Sequence, residues 1–288
     1  MNRAERAAIA QQTLTILETG GYAVRGGATV PVAQDLRNCV EATQLLWPDE
    51  LEALMGRVLS WPSASARVIV EIENESTLSG IARLLHDGCA PMAALNFASA
   101  NNPGGGFLSG SQAQEESLAR SSGLYASLSS AHAFYQHHRD HPSPLYSDAM
   151  ILSSNCPIFR DDAGSLLKSV HHATFISSAA PNARAVKEKS PHDFHLIADV
   201  LRRRAEYVLA VAASRDIRYL VLGAWGCGVF RNDPRLVAQV FMNLLISADW
   251  RGRFSKVIFS ILDTTPDSEL MRIFKAAAAE VGAGDDPH

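Results

Sequence analysis

The chain has 288 residues, 47% of them hydrophobic and 19% charged, with a formal charge of −4. This balance fits a globular protein able to bury a large core. It excludes a disordered chain and the dense basic stripe needed to coat duplex nucleic acid. The cysteines at 39, 89, 156 and 227 show no CxxC spacing and read as reduced thiols rather than a disulfide framework. The N-terminal MNRAERAAIAQQTLTIL carries charges where a secretory signal needs an apolar run, and no apolar stretch approaches the eighteen residues of a membrane span. The expectation is a cytoplasmic protein with no membrane contact.

A first helix is predicted over 3–18, stopped by Gly20-Gly21. A strand signal follows at 22–32 and a short helix at 48–58. From residue 66 strands and helices alternate. RVIVEIE (67–73) reads as a strand, 76–87 as an amphipathic helix, 92–97 as a buried strand and 112–128 as a helix. The segment 129–148, SSAHAFYQHHRDHPSPLYSD, is polar and reads as an irregular surface excursion near the site. Strands are expected at 149–153 and 173–177, separated by the turn-rich FRDDAG. A long helix follows at 192–215, then a strand at 219–222, a helix at 234–247, a strand at 256–262 and a closing helix at 268–281. The run Arg202-Arg203-Arg204 reads as a solvated helix face, and the tail GAGDDPH as frayed. This alternation calls for a sheet with helices on both faces.

Two stretches carry chemistry. In NFASANNPGGGFLSGSQAQEESLARSSGLY a strand runs into Gly104-Gly105-Gly106, and a helix starts soon after. Glycines there let backbone amides approach an anion, and the helix dipole favours it. No Walker lysine and no GxGxxG follow, which removes the kinase and dehydrogenase readings. Seven residues on stands Gln114-Glu115-Glu116. Acids in a first helical turn have a plain dipole explanation. Beside a diphosphate cradle a carboxyl also has a use: glycoside cleavage needs a proton for the departing oxygen. Adjacent carboxylates repel, so one glutamate can keep a proton while its neighbour accepts ribose hydroxyls. The second stretch, VLGAWGCGVFRND, is again a strand, a glycine-rich turn and a helix start at Asp233-Pro234. Two such turns at strand ends suggest a crevice gripping a diphosphate from both sides. Phe230 is placed to stack on a base or a ribose, or to pack in the core.

The pairing of Gly104-Gly105-Gly106 with Gln114-Glu115-Glu116 resembles the GGG-x(6–8)-QEE signature of the poly(ADP-ribose) glycohydrolases, and NFASANNPGGGF and LARSSGLY are similar to their bacterial-type branch. GAWGCGVFRND resembles the branch's second diphosphate loop and SNCPIFRDD the segment between. The resemblance implies a macrodomain-like three-layer α/β/α fold with a mixed central sheet. It implies a catalytic core over 66–288, forming one compact unit with an N-terminal helical extension over 1–65. It also implies binding of ADP-ribose without a metal or cofactor. Glu116 would protonate the leaving ribose 2′ oxygen and then activate water. Glu115 would hold the ribose bearing the scissile bond, and Gln114 would help position it. Gly104, Gly105 and Gly106 would contact the pyrophosphate on one side; Gly223, Trp225, Gly226, Cys227, Gly228, Val229 and Phe230 belong to the loop closing over it. Ser99 and Asn102 lie where strand-end polar groups would reach the terminal ribose. The expected activity is exo-acting hydrolysis of poly(ADP-ribose) on modified proteins by a monomer. A non-catalytic ADP-ribose reader and a mono-ADP-ribosyl or O-acyl-ADP-ribose hydrolase remain as alternatives. His137 and His141, four apart in the polar excursion, read as a solvated cluster rather than zinc ligands.

Overall fold

The computed structural model describes residues 1–62 and 65–282; the expectation for the tail beyond Gly282 lies outside the described residues. A seven-stranded mixed sheet forms the centre. Its strands are β3 (Gln44–Leu46), β4 (Ile69–Glu73), β5 (Met92–Phe97), β6 (Met150–Arg160), β7 (Leu166–Ser178), β8 (Tyr219–Leu222) and β9 (Lys256–Ser260). The order is β3-β6-β7-β5-β8-β9-β4. The run from β7 to β4 is parallel, while β6 pairs antiparallel with both β3 and β7. Strand side chains alternate between two cores, as the two-residue period requires. Ala93 and Leu95 of β5 face one layer, Met92 and Ala94 the other.

The first layer holds α3 (Pro48–Leu59), α9 (Ile197–Ala213), α10 (Pro234–Ile246) and α11 (Glu269–Glu280), packed through residues such as Leu51, Leu201, Phe241 and Phe274. The second holds α4 (Thr77–His86), α5 (Gln114–Ser121), α6 (Leu124–Ser130) and α7 (His132–Asp140), packed through Leu84, Leu118, Leu128 and Phe134. This is the three-layer α/β/α arrangement expected. No helix among the described residues is long and apolar enough to cross a membrane, and the four cysteines are free thiols.

At the N-terminus, α1 (Arg3–Thr19) is opened by an Asn2–Glu5 capping box and closed by Gly20 in the left-handed region. The strand signal at 22–32 is a small hairpin, β1 (Gly21–Ala23) with β2 (Thr29–Pro31), and α2 (Ala33–Glu41) follows. The first sixty residues supply the edge strand β3 to the central sheet and set α3 against α9.

Four expectations need correction. The helix predicted over 112–128 breaks at Ser122-Gly123, because Ser122 bridges to Ile158 of β6 and the Gly123 N–H donates to the Pro157 carbonyl. The short strands around FRDDAG are arms of one long hairpin, β6 and β7, bent by register shifts at Ser153/Cys156 and Ile158/Arg160. The segment 129–148 is largely helical, because Phe134, Tyr135 and His138 share a face turned into the core beneath a polar outer surface. The long helix predicted over 192–215 starts as a 3-10 turn at Pro191–Leu196 and becomes α-helical only at Ile197, with a separate short helix, α8 (Ala183–Lys189), before it.

Candidate active site

The C-terminal ends of β5, β8 and β9 open into a cleft of about 690 Å³. Ser99, Asn102, Gly105 and Gly106 line it from the first glycine loop, and Gln114 and Glu116 from the start of α5; Trp225, Gly226, Cys227, Gly228, Val229 and Phe230 line it from the second loop. Gly104, Glu115 and Gly223 stand just behind its surface.

The first loop is built around the two carboxyl groups. Glu115 is 3% exposed. Its oxygens accept from the Ser99 N–H at 2.8 Å and the Asn96 side-chain amide at 3.3 Å, and from the Gly104 N–H. Glu116 is half-buried and reaches the cleft, its Oε1 accepting from the Gly106 N–H at 3.0 Å. Gly105 (φ +60°) has no room for a side chain: a Cβ there would lie 2.5 Å from Glu116 Oε1 and 3.2 Å from Glu115 Oε2. Both carboxyl groups therefore converge on the space its missing side chain leaves. The Gly105 N–H closes a turn to the Asn102 carbonyl. All three amides of the triple glycine are thus committed locally, two of them to the carboxyl groups of Glu115 and Glu116.

Gln114 pins the helix that carries both glutamates. Its amide oxygen accepts from the Phe97 N–H, and its nitrogen donates to the Leu95 carbonyl and Thr77 Oγ1. The outer side of the loop is clamped by α1: Arg3 donates to the Ser109 carbonyl, Arg6 to Gly110, and Thr13 Oγ1 to the Arg120 carbonyl at 2.6 Å. Arg120 returns a bond to the Ser111 carbonyl.

Burial pushes the Glu115 carboxyl up to about 8, reinforced by the neighbouring Glu116 charge and opposed by the donors from Ser99, Asn96 and Gly104. At neutral pH the Glu115 carboxyl therefore holds its proton, while Glu116 is the member that faces the cleft.

The second loop supplies the free amides. Those of Gly228, Val229 and Phe230 donate to no acceptor among the described residues. Successive unpaired N–H groups on a turn are the donors that an anion-binding nest requires. Gly226 (φ +72°) passes so close to Asn232 and Ala180 that a Cβ would lie 2.3 Å from Asn232 Nδ2 and 2.6 Å from Ala180 Cβ. The Trp225 indole turns into the core and donates to the Ser178 carbonyl at 3.1 Å, anchoring the loop from below. Burial pushes the Cys227 thiol up to about 12, so it is a neutral small side chain. Asp233 caps α10, its carboxylate accepting from the Arg235 N–H.

Several cleft residues carry no sequence signal. Glu75, Ser76 and Thr77 come from the start of α4, Asp162 from the β6–β7 turn, and Leu262 and Leu270 from the segment after β9. Asp162 Oδ2 accepts from the hydroxyls of Ser76 at 2.5 Å and Ser79 at 2.8 Å, which fastens the hairpin tip to α4. Tyr146, between α7 and β6, completes the wall beside Phe230. His137 and His141 stack on each other at 4.6 Å on the outer side of α7, with Trp47 edge-on to His137.

The family model for the catalytic domain of microbial-type PARG matches residues 10–161. A crystal structure of poly(ADP-ribose) glycohydrolase from Thermomonospora curvata is 45% identical, with a TM-score of 0.91 over 95% of this chain and 99% of that one. The Thermomonospora curvata enzyme bound to the inhibitor ADP-HPD is 44% identical, with a TM-score of 0.88 over the same shares. The enzyme from Deinococcus radiodurans in complex with ADP-ribose is 42% identical, with a TM-score of 0.80 over 85% of this chain and 97% of that one. A comparison with curated protein sequences gave no match. With more than half of the chain matched by the model and this identity over nearly its whole length, the chain belongs to the microbial-type poly(ADP-ribose) glycohydrolase family.

Proposed function

We propose that the chain hydrolyses the ribose–ribose O-glycosidic bond of poly(ADP-ribose) and releases ADP-ribose, with Glu116 as the general acid and base. The observation that carries this reading is the position of Glu116: it extends from the first turn of α5 into the same cleft that the unpaired amides of the second loop line. A diphosphate seated on Gly228–Phe230 directs its terminal ribose toward the carboxyl pair.

The ribose hydroxyls donate to Glu115 and stabilise its charged form, so the proton of the pair is available to Glu116. Glu116 delivers it to the 2′ oxygen of the leaving ribose as the bond from that oxygen to the anomeric carbon breaks. The bonding electrons stay with the oxygen, and an oxocarbenium-like centre develops at the carbon. Glu116, now a carboxylate, takes a proton from the water whose oxygen bonds to that carbon, which restores the pair. Ser99 and Asn102 contact the terminal ribose. The triple glycine keeps the two carboxyl groups in register, and the Gly226–Phe230 loop covers the diphosphate. The proposed setting is the cytoplasm, with the enzyme acting as a monomer from polymer ends on modified proteins.

The test is product analysis with purified poly(ADP-ribose). The wild-type protein is expected to release ADP-ribose. Glu116→Gln is expected to lower release by at least about 100-fold, the scale of losing general acid–base catalysis, while ADP-ribose binding by calorimetry stays within a few-fold. Unchanged turnover in Glu116→Gln refutes the mechanism. Tight binding without turnover in the wild type makes the protein a reader instead.

A further inference from the structure

Tyr146 combines two properties that rarely meet in one residue. It lines the cleft, with its ring centroid 5.9 Å from that of Phe230. Its backbone also lies in the left-handed region, at φ +60°. A bulky aromatic residue there is a true outlier, strained backbone that persists only where its surroundings over-determine it. Arg231, directly after Phe230, shares this conformation at φ +59°. Tyr146 itself thus lies on strained backbone, and Phe230 immediately precedes a residue that does.

The surroundings of Tyr146 do over-determine it. The Pro144 carbonyl accepts from the Asn182 N–H at 2.8 Å. The carbonyls of Leu145 and Tyr146 accept from Arg204 Nη2 at 2.7 and 2.9 Å. The Ser147 N–H donates to His138 Nε2 at 3.2 Å, and the His138 ring packs edge-on against Tyr146. Asp148 is paired with both Arg203 and Arg204. Five consecutive residues are each held by a neighbour. Arg204, expected on a solvated face, is 1% exposed and makes its bonds inward, so the triple-arginine reading is corrected at this position. Only Arg202 and Arg203 keep solvent contact. A loop that merely connected α7 to β6 would not require an aromatic residue where glycine or asparagine fits without strain.

We propose that Tyr146 is a substrate-contacting residue: with Phe230 it forms the wall against which the terminal ribose of a bound nucleoside-diphosphate sugar rests. The proposal rests on the functional reading above and adds a specificity residue to it. The position in the sheet supports the assignment. Tyr146 enters from the β6–β7 side, the side toward which Glu115 is tied through Asn96 to Ser177 of β7. Glu75 and Leu262 bound the opposite end, at β4 and β9. A diphosphate on the β8 loop therefore has its reacting sugar at the Tyr146 end.

Because strain and contact act in opposite directions, one substitution separates them. Tyr146→Gly and Tyr146→Asn both relax the backbone and remove the ring. In each, the melting temperature is expected to hold or rise. The Kd for ADP-ribose, measured by calorimetry, is expected to weaken about tenfold, the scale of one aromatic contact. The Kd for ADP, which lacks the terminal ribose, is expected to stay within about twofold. An ADP-ribose Kd within about twofold of wild type in both variants overturns the proposal. So does equal weakening of ADP and ADP-ribose with a fall in melting temperature, the signature of a purely structural residue. A wild-type protein that binds ADP but not ADP-ribose removes the functional reading itself, and this contact with it.

Discussion

Replacing Glu115 by glutamine tests the electrostatics of the carboxyl pair directly. Its carboxyl is raised from 4.5 to about 8 in the folded protein. The group is fully enclosed, so the whole difference acts on stability. At about 1.4 kcal/mol for each pH unit it amounts to about 5 kcal/mol. The sign follows from proton counting. Below about pH 4.5 the group is protonated in both states and its contribution is complete. Between that value and about 8 the unfolded chain releases the proton while the folded one keeps it. Stability is therefore lost as pH rises across this window. Glutamine does not titrate, and the penalty of turning its amide toward the Ser99 N–H is the same at every pH. Urea denaturation of both proteins from pH 5 to 8.5 isolates the effect, since every other carboxylate titrates in both and cancels. The wild type is expected to lose about 1.4 kcal/mol per pH unit relative to Glu115→Gln until the curves level near pH 8. A difference that stays flat, or one in which the wild type gains with pH, refutes the reasoning. It would mean that the donors from Asn96, Ser99 and Gly104 outweigh burial.

Three further outcomes follow. The rate on poly(ADP-ribose), measured as kcat/KM, is expected to fall as pH passes above about 8, where Glu115 loses its proton; a kcat/KM that stays level up to pH 9.5 contradicts a role for that proton. Gly105→Ala puts a methyl 2.5 Å from Glu116 Oε1 on a left-handed backbone. Turnover is expected to drop about 100-fold, the scale of a misplaced catalytic group, with helix content by circular dichroism unchanged. Arg204→Met leaves Asp148 with one partner and strands the carbonyls of Leu145, Tyr146 and Ala179. Urea denaturation is expected to show a loss of about 3–5 kcal/mol, and a loss below 1 kcal/mol contradicts the role assigned to that network.

The sequence made the centre of the molecule legible because its signals are local. Met92–Phe97, Gly104–Gly106 and Gln114–Glu116 lie within one strand, one turn and one helix start, where spacing along the chain is also spacing in space. Asp233-Pro234 likewise announces α10 by its own capping chemistry. What stayed hidden depends on residues far apart in sequence. Nothing near Arg204 signals that Asp148, fifty-six positions earlier, neutralises it in the core, so the triple arginine reads as solvated. Tyr146 sits in PSPLYSD, a turn by composition, and only the bonds of Arg204, Asn182 and His138 make it a fixed wall. The helix over His132–Asp140 hides because its apolar residues are few and its outer face is histidine and arginine. The triple glycine carries a different lesson. As a sequence it suggests amides free for phosphate, whereas the fold gives two of those amides to Glu115 and Glu116. The unpaired amides lie in the second loop instead.

A crystal structure of the protein with ADP-ribose bound measures the central claim. The account predicts the diphosphate on the amides of Gly228–Phe230, and a Glu116 carboxylate oxygen within about 3 Å of the oxygen on the anomeric carbon of the terminal ribose. A nucleotide seated with that ribose turned toward Glu75 and Leu262, away from Glu116, would contradict it.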